Sequence, residues 1–233
     1  MNHKIAALKA AFPYTIPVMT SYLVLGTAYG ILMNSKGFSL IWIIIASVFI
    51  YAGSMQFVSV ALLAAGFDPL GSFLMTLSVN ARHLFYSISM LKQYRGTGRI
   101  KPYLIFSLTD ESFSILCSAK APEGVEDKWF YLFVSLLDHG YWITGSVIGG
   151  ILGSIIHINT KGIDFVLTAL FVVILINQWR STTNHLPALL GIASAILCRL
   201  IFGPAKFIIP SMICILLFVT LLRKPIERGR TKL

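Results

Sequence analysis

The chain is a succession of eight apolar blocks joined by short polar loops: Phe12–Met33, Phe38–Gly66, Leu70–Leu91, Tyr103–Ser118, Trp129–His157, Ile163–Trp179, Leu186–Phe202 and Phe207–Leu222. A membrane span needs about 20 mainly apolar residues, so blocks of this size restrict the fold more than any other feature of the sequence. Only 12% of the 233 residues are charged, about half the share in a soluble domain, and little chain remains outside the blocks to build one. The sequence therefore predicts an all-α, polytopic membrane protein. Residues 1–233 read as a single integral membrane domain with about seven to eight transmembrane segments.

The net charge of +10 comes from Lys and Arg dispersed over short loops and the C-terminal tail. That distribution suits the positive-inside rule for membrane proteins better than a nucleic-acid surface. The first residues, with Lys4 and Lys9, resemble the start of a signal peptide. The apolar segment that follows is too long and lacks a small-residue cleavage site, so it reads as an uncleaved first span. Cys117, Cys198 and Cys214 lie far apart in the sequence without metal-ligand spacing and read as packing residues. No cofactor and no metal are expected.

Two polar groups interrupt the apolar blocks. Asn80, Ala81, Arg82 and His83 fall in Leu70–Leu91, and Thr109, Asp110 and Glu111 fall in Tyr103–Ser118. An Arg or Asp at mid-membrane depth costs roughly 2.5–3.5 kcal/mol on insertion scales, so such residues usually mark a pathway or a binding site.

The block Phe38–Gly66 is long for one span and short for two, and Ala52, Gly53, Ser54 and Gln56 interrupt it. A helix break is expected there, tolerated where freed backbone faces protein or a water-filled cavity. A single tilted helix, with Gly53 admitting a close neighbour, is the competing reading. Charge parity favours the break. If Lys4 and Lys9 lie on the same side as the loop carrying Lys92, Arg95, Arg99 and Lys101, the three blocks between them must cross an even number of times. A second block that returns to its starting side achieves this. The five blocks after Lys101 must likewise include one partial or re-entrant span, and Tyr103–Ser118 is short, about 24 Å as a helix.

A faint internal repeat accompanies this pattern. The same spacing of 119 residues separates Gly26 from Gly145 and Gly30 from Gly149. Residues 12–118 and 129–222 would form the two halves, as in transporters built from related repeats. Recurrence of Gly-xxx-Gly by chance in membrane helices is the alternative.

Taken together, the Gly26–Gly30 helix, Ala52-Gly53-Ser54-Met55-Gln56-Phe57, Asn80-Ala81-Arg82-His83 with Tyr86, and Thr109-Asp110-Glu111-Ser112-Phe113 resemble, in order and spacing, the AzlC family of bacterial branched-chain amino-acid exporters. The resemblance is densest before Phe113. It implies a multi-pass protein of the bacterial cytoplasmic membrane that exports valine, leucine, isoleucine or other small hydrophobic amino acids. It also implies a small membrane partner of the AzlD type. The glycine-rich face from Gly145 to Gly153 offers a close approach for another helix.

Export of a zwitterion needs groups for a carboxylate, an ammonium and an apolar side chain. Ser78, Arg82 and Tyr86 recur every four residues and share one helix face with Asn80 nearby. Arg82 is a candidate clamp for the substrate carboxylate, or a structural partner of Asp110 or Glu111. Gly53, Ser54 and Gln56 are candidates for the substrate through exposed amides and an amide side chain, or serve packing alone. Asp110 and Glu111 are candidates for proton coupling or ammonium binding, although adjacent side chains point about 100° apart on a helix, which disfavours both serving one ligand. A solvated turn competes with that reading. Asp138 and His139 read as a proton relay or as a helix bend near an interface. Trp42, Trp129, Trp142 and Trp179 read as interface anchors, and His83 as a packing residue.

A secondary transporter coupled to protons or to the membrane potential fits these features. No P-loop accompanies the blocks, and neither Gly-x-Ser-x-Gly nor His-Glu-x-x-His occurs. An intramembrane enzyme and a non-transporting accessory subunit are the competing classes.

Overall fold

The computed structural model describes residues 3–66, 68–155, 169, 172, 175, 176, 179, 180, 184–203 and 207–222, all helix or connection with no strand among them. The described helices are α1 His3–Ser35, α2 Leu40–Phe49, α3 Gly53–Ala65, α4 Pro69–Met90, α5 Lys101–Phe106, α6 Asp110–Ser118, α7 Asp127–Ile155, α8 Leu186–Phe202 and α9 Ile208–Leu221. The chain divides into two compact units, Met1–Leu167 and Thr168–Leu233. By length and apolar composition together, α1 is the one described helix able to cross a membrane unaided.

In the first unit α1 and α7 run parallel and in register. At one end Lys4 lies over the Trp129 ring at 4.5 Å, and further along Thr15 Oγ1 is 3.2 Å from the Tyr141 hydroxyl. Then the glycines meet. A Cβ on Gly26 would stand 2.9 Å from Ser146 N, and one on Gly145 2.7 Å from Tyr22 O. Gly30 and Gly149 are equally pressed against backbone, at Ser146 O and Thr27 O. Side-chain-free surfaces let two helices approach to backbone contact. The glycine pairs matched by the 119-residue spacing therefore lie against each other. This also revises the expectation for Gly145–Gly153: Gly145, Gly149 and Gly153 receive α1, and Gly150 receives Ile43 and Leu40 of α2, so that face is filled by this chain rather than by a partner.

The expected break near Gly53 is present. α2 starts beside Gly150, reaches His139 at Ser47, and ends at Phe49. α3 then starts beside Trp142 at Gly53 and climbs back, so that Phe57 meets the Tyr29 ring at 5.7 Å. The second apolar block is thus a hairpin that returns to the end it entered from. Its tip is strained: Tyr51 has φ +40°, a left-handed conformation that a bulky residue seldom adopts.

The fourth block is broken as well. α5 rises to Phe106, and α6 descends from Asp110 until Leu116 O accepts from Gln93 Nε2 at 2.8 Å. This second hairpin enters from the opposite end. Polar side chains cap the gap. Thr109 Oγ1 accepts from Ser112 N, Ser112 Oγ accepts from Thr109 N, and Ser112 Oγ donates to Ser107 O. These bonds satisfy backbone groups orphaned by the helix ends. Leu104, Leu108, Leu116 and Ala119 pack with Ala11, Met90, Tyr94 and Phe130 in one apolar cluster. The start of α1, the end of α4 and the start of α7 therefore gather at one end, beside the basic loop 92–101.

Beside the apolar cluster, Thr15, Ser47, Gln56, Ser107, Ser112, Ser135, Asp138 and Ser146 are wholly buried, whereas Val24, Phe49, Leu70 and Ile155 stand exposed. Large exposed apolar side chains around buried polar groups make a surface that a bilayer solvates. In the second unit, Cys198 and Cys214, 16 residues apart on consecutive helices α8 and α9, come to an Sγ–Sγ distance of 3.9 Å.

Candidate functional site

The two hairpin tips meet against α1 and α7. Tyr51 of the first tip faces Phe106 of the second at 6.4 Å between ring centroids, and Tyr22 of α1 lies edge-on to Tyr51. The Tyr22 hydroxyl is 2.7 Å from both Thr109 Oγ1 and Glu111 Oε2. From α7, Asp138, His139 and Trp142 project into the same junction, all three buried.

Each α7 side chain has a distinct partner. Trp142 Nε1 donates to Gln56 Oε1 at 2.8 Å and its ring covers Gly53, where a Cβ would meet it at 3.3 Å. The start of α3 thus rests on an aromatic plate. The Gln56 amide nitrogen, beside the Tyr29 hydroxyl, has no well-formed hydrogen bond among the described residues. His139 Nε2 lies 3.2 Å from Ser47 O, and Nδ1 lies 3.1 Å from the Tyr103 hydroxyl. A carbonyl only accepts, so Nε2 carries the proton, and in the neutral ring Nδ1 accepts from Tyr103. In an unbroken helix Ser47 O would receive Tyr51 N. α2 ends first, its last backbone bond running from Ile50 N to Ala46 O, and His139 takes the orphaned carbonyl.

Asp138 has both carboxylate oxygens without a protein partner among the described residues. Glu111, Tyr51 and Tyr103 are near enough to interact with its charge. Two acids from different helices, three phenols and a histidine therefore share one buried junction beside two half-helix ends.

The sequence-derived candidates divide between two places. Gly53, Ser54, Gln56, Glu111 and Asp138 come together at the junction. Asp110 occupies the first helical position of α6 beside them. On α4, Tyr86 stacks on Phe113 of α6 at 4.4 Å. Asn80 lines an open groove of about 350 Å³ with Phe73, Thr76, Leu77, His83 and Ser87. The side chains of Ser78 and Arg82 lie outside the described residues. Two expectations change. Trp142, read as an interface anchor, is 2% exposed and serves the junction. The Asp138-His139 pair stands inside the continuous helix α7, not near an end. Trp129, with Lys4 and Lys128 over its ring, keeps the character of an anchor.

Tyr22, Tyr51 and Tyr103 join the site with little mark in the local sequence, whereas Thr109 belongs to the polar group that interrupts the fourth block. Aromatic residues in apolar blocks carry no signal that separates a lipid-facing ring from one aimed at a carboxylate. Only Tyr22 had a hint, lying one turn before Gly26.

Residues 17–156 match the AzlC protein family. The chain belongs to the AzlC family. It is 53% identical over 224 residues to the branched-chain amino acid transport protein AzlC of Bacillus subtilis, covering 96% of this chain and 88% of that protein. An uncharacterized membrane protein of Helicobacter pylori 26695 is 39% identical over 227 residues, 97% of this chain and 100% of its own length. The inner membrane protein YgaZ of Escherichia coli is 28% identical over 174 residues, 71% of each chain. No solved structure matches. The matched segment of the family spans the junction from Tyr22 to Trp142, and membership supports a membrane protein of amino-acid transport.

Proposed function

We propose that this chain is the large subunit of a secondary transporter that exports branched-chain or other small hydrophobic amino acids across the bacterial cytoplasmic membrane, coupled to protons or to the membrane potential. The observation that carries this reading is the meeting of two opposed helical hairpins at a buried junction of unsatisfied polar groups. Transporters commonly place substrate and coupling sites at such interrupted helices near the membrane midplane. The relative's printed name, branched-chain amino acid transport, supports the substrate class.

In this reading α1, α4 and α7 are full spans, the protein is multi-pass, and the hairpins are re-entrant, with Lys4 and the 92–101 loop on the cytoplasmic side. The parallel contact of α1 with α7 favours repeats of the same orientation over inverted ones. The amide groups of Gly53 and Ser54 at the start of α3, with Gln56, receive the substrate carboxylate. Asn80 and Tyr86 line its route along α4, and Arg82 of the same helix pairs with its carboxylate on the way. Glu111, bonded to Tyr22 on α1, is the proton-exchanging carboxylate, with Asp110 its neighbour and Asp138 the second acid of the junction.

A small AzlD-type membrane subunit completes the exporter. The test is counterflow of labelled leucine in vesicles containing this chain with and without that subunit. Leucine exchange supports the reading, and exchange requiring both chains supports the partner. Chemical alteration of the leucine would instead favour an enzyme.

A further inference from the structure

Asp138 is fully buried in the middle of α7, with no hydrogen bond or ion pair to any described residue. Three hydroxyls on α7 or on the first hairpin packed against it also lack a partner among the described residues. Ser135 lies one turn earlier on the same buried face of α7. Ser47 is held beside His139 through its carbonyl, while its own hydroxyl has no partner. Tyr51 stacks on His139 at 4.1 Å, and its hydroxyl, next to Tyr22, makes no well-formed hydrogen bond. All four belong to the tip of the first hairpin or the stretch of α7 against it.

A buried ionised carboxylate without a counter-charge is penalised by several kcal/mol. The titratable groups near Asp138 are Tyr51 of the first hairpin, Tyr103 of α5, Glu111 of α6 and its neighbour His139, with Tyr22 of α1 beyond, bonded to Glu111. None of them is a fixed cation. The junction instead offers oxygen: one carboxylate, three hydroxyls and the C-terminal end of α2. That end carries the negative pole of the helix dipole, and half-helix C-termini with unwound backbone are where transporters hold sodium ions or protons.

We propose that Asp138, Ser135, Ser47 and Tyr51 form a binding site for a small monovalent cation, a sodium ion, at the C-terminal end of α2. The all-oxygen donor set suits a hard cation. No cluster of three or more His, Cys, Asp or Glu side chains suited to a metal occurs among the described residues. Sodium bound there neutralises Asp138, and Glu111 and Tyr51 lie within range of that change in charge. The site rests on its own geometry, so sodium binding is measurable whether or not leucine is the substrate.

The experiment is a sodium chloride titration of the purified full chain at constant pH, with choline chloride holding the ionic strength, reading the thermal midpoint and the binding of radioactive sodium. Sodium should raise the midpoint saturably and choline should not. Ser135→Ala should weaken the apparent sodium affinity about tenfold, the loss of roughly 1.4 kcal/mol from one ligand. Asp138→Asn should abolish the response, and Asp127→Asn at the exposed start of α7 should keep it. Should Asp138→Asn fail to fold, Ser135→Ala and Ser47→Ala decide. Equal responses to sodium and choline in the unmodified chain would overturn the proposal, as would wild-type sodium affinity in both serine variants. A midpoint raised by leucine in choline medium, with sodium silent, would overturn it too and assign the pocket to the substrate ammonium.

Discussion

Tyr51 lies flat on His139, with ring centroids 4.1 Å apart and planes 26° from parallel. The contact joins the strained tip of one hairpin to the one side chain that also bonds Ser47 O and the Tyr103 hydroxyl. His139 therefore supplies what the interrupted helix lacks: a donor for the freed carbonyl and a surface for the left-handed residue that follows it.

Replacing His139 by Ala should lower the unfolding free energy by about 1–3 kcal/mol, the usual penalty for an unsatisfied buried acceptor, with the lost stacking added. Tyr51→Phe keeps the ring and should cost far less. Thermal or denaturant unfolding of the two purified variants checks the order. An unchanged His139→Ala midpoint would mean that the α2 terminus is held in another way.

The α1–α7 crossing makes a sharp distinction among glycines of one helix. A methyl group at Gly149 would strike the Thr27 carbonyl backbone, while at Gly140 it would meet nothing within 4 Å. Gly149→Ala should destabilise by about 1–3 kcal/mol through overpacking. Gly140→Ala should be neutral or slightly stabilising, since Ala favours helix. Similar unfolding midpoints for the two variants would remove the close crossing.

The adjacent acids should separate in function. Glu111 bonds to Tyr22 and senses Asp138, whereas Asp110 begins α6. Glu111→Gln imitates the protonated carboxyl at every pH. Net export by that variant should lose its pH dependence between about pH 5.5 and 8, because it has no carboxyl left to exchange a proton at this position. Exchange at equal leucine concentrations should survive, because it moves no net proton. Asp110→Asn should retain the pH profile. If neither variant alters the profile, Glu111 is not the coupling group.

Arg82→Lys should reduce export several-fold despite its conserved charge, because Lys lacks the planar fork that pairs with a carboxylate. Apparent leucine affinity in vesicles is the measurement. Wild-type affinity would leave Arg82 with diffuse charge as its only contribution.

Much of the architecture follows from local sequence. Apolar block lengths set the helices, Ala52-Gly53-Ser54 marks a break, and the Gly26/Gly30 and Gly145/Gly149 pairs mark faces without side chains. The basic loop 92–101 and the parity argument together require the second block to return to its starting end, as α2 and α3 do. Each of these depends on residues within a few turns of one another, or on a charge count along the chain. What occupied the glycine face, which of two adjacent acids bonded to Tyr22, and why Trp142 left the interface were decided by tertiary structure. Those outcomes depend on contacts between residues about 90 to 120 positions apart: Tyr22 with Glu111, Ser47 with His139, Gln56 with Trp142, Gly30 with Gly149. A helical period shows that Asp138 shares a face with Ser135 and Trp142. It carries no information on which helix that face meets, and in this fold it meets the end of α2, where the Ser47 carbonyl has lost its helical partner.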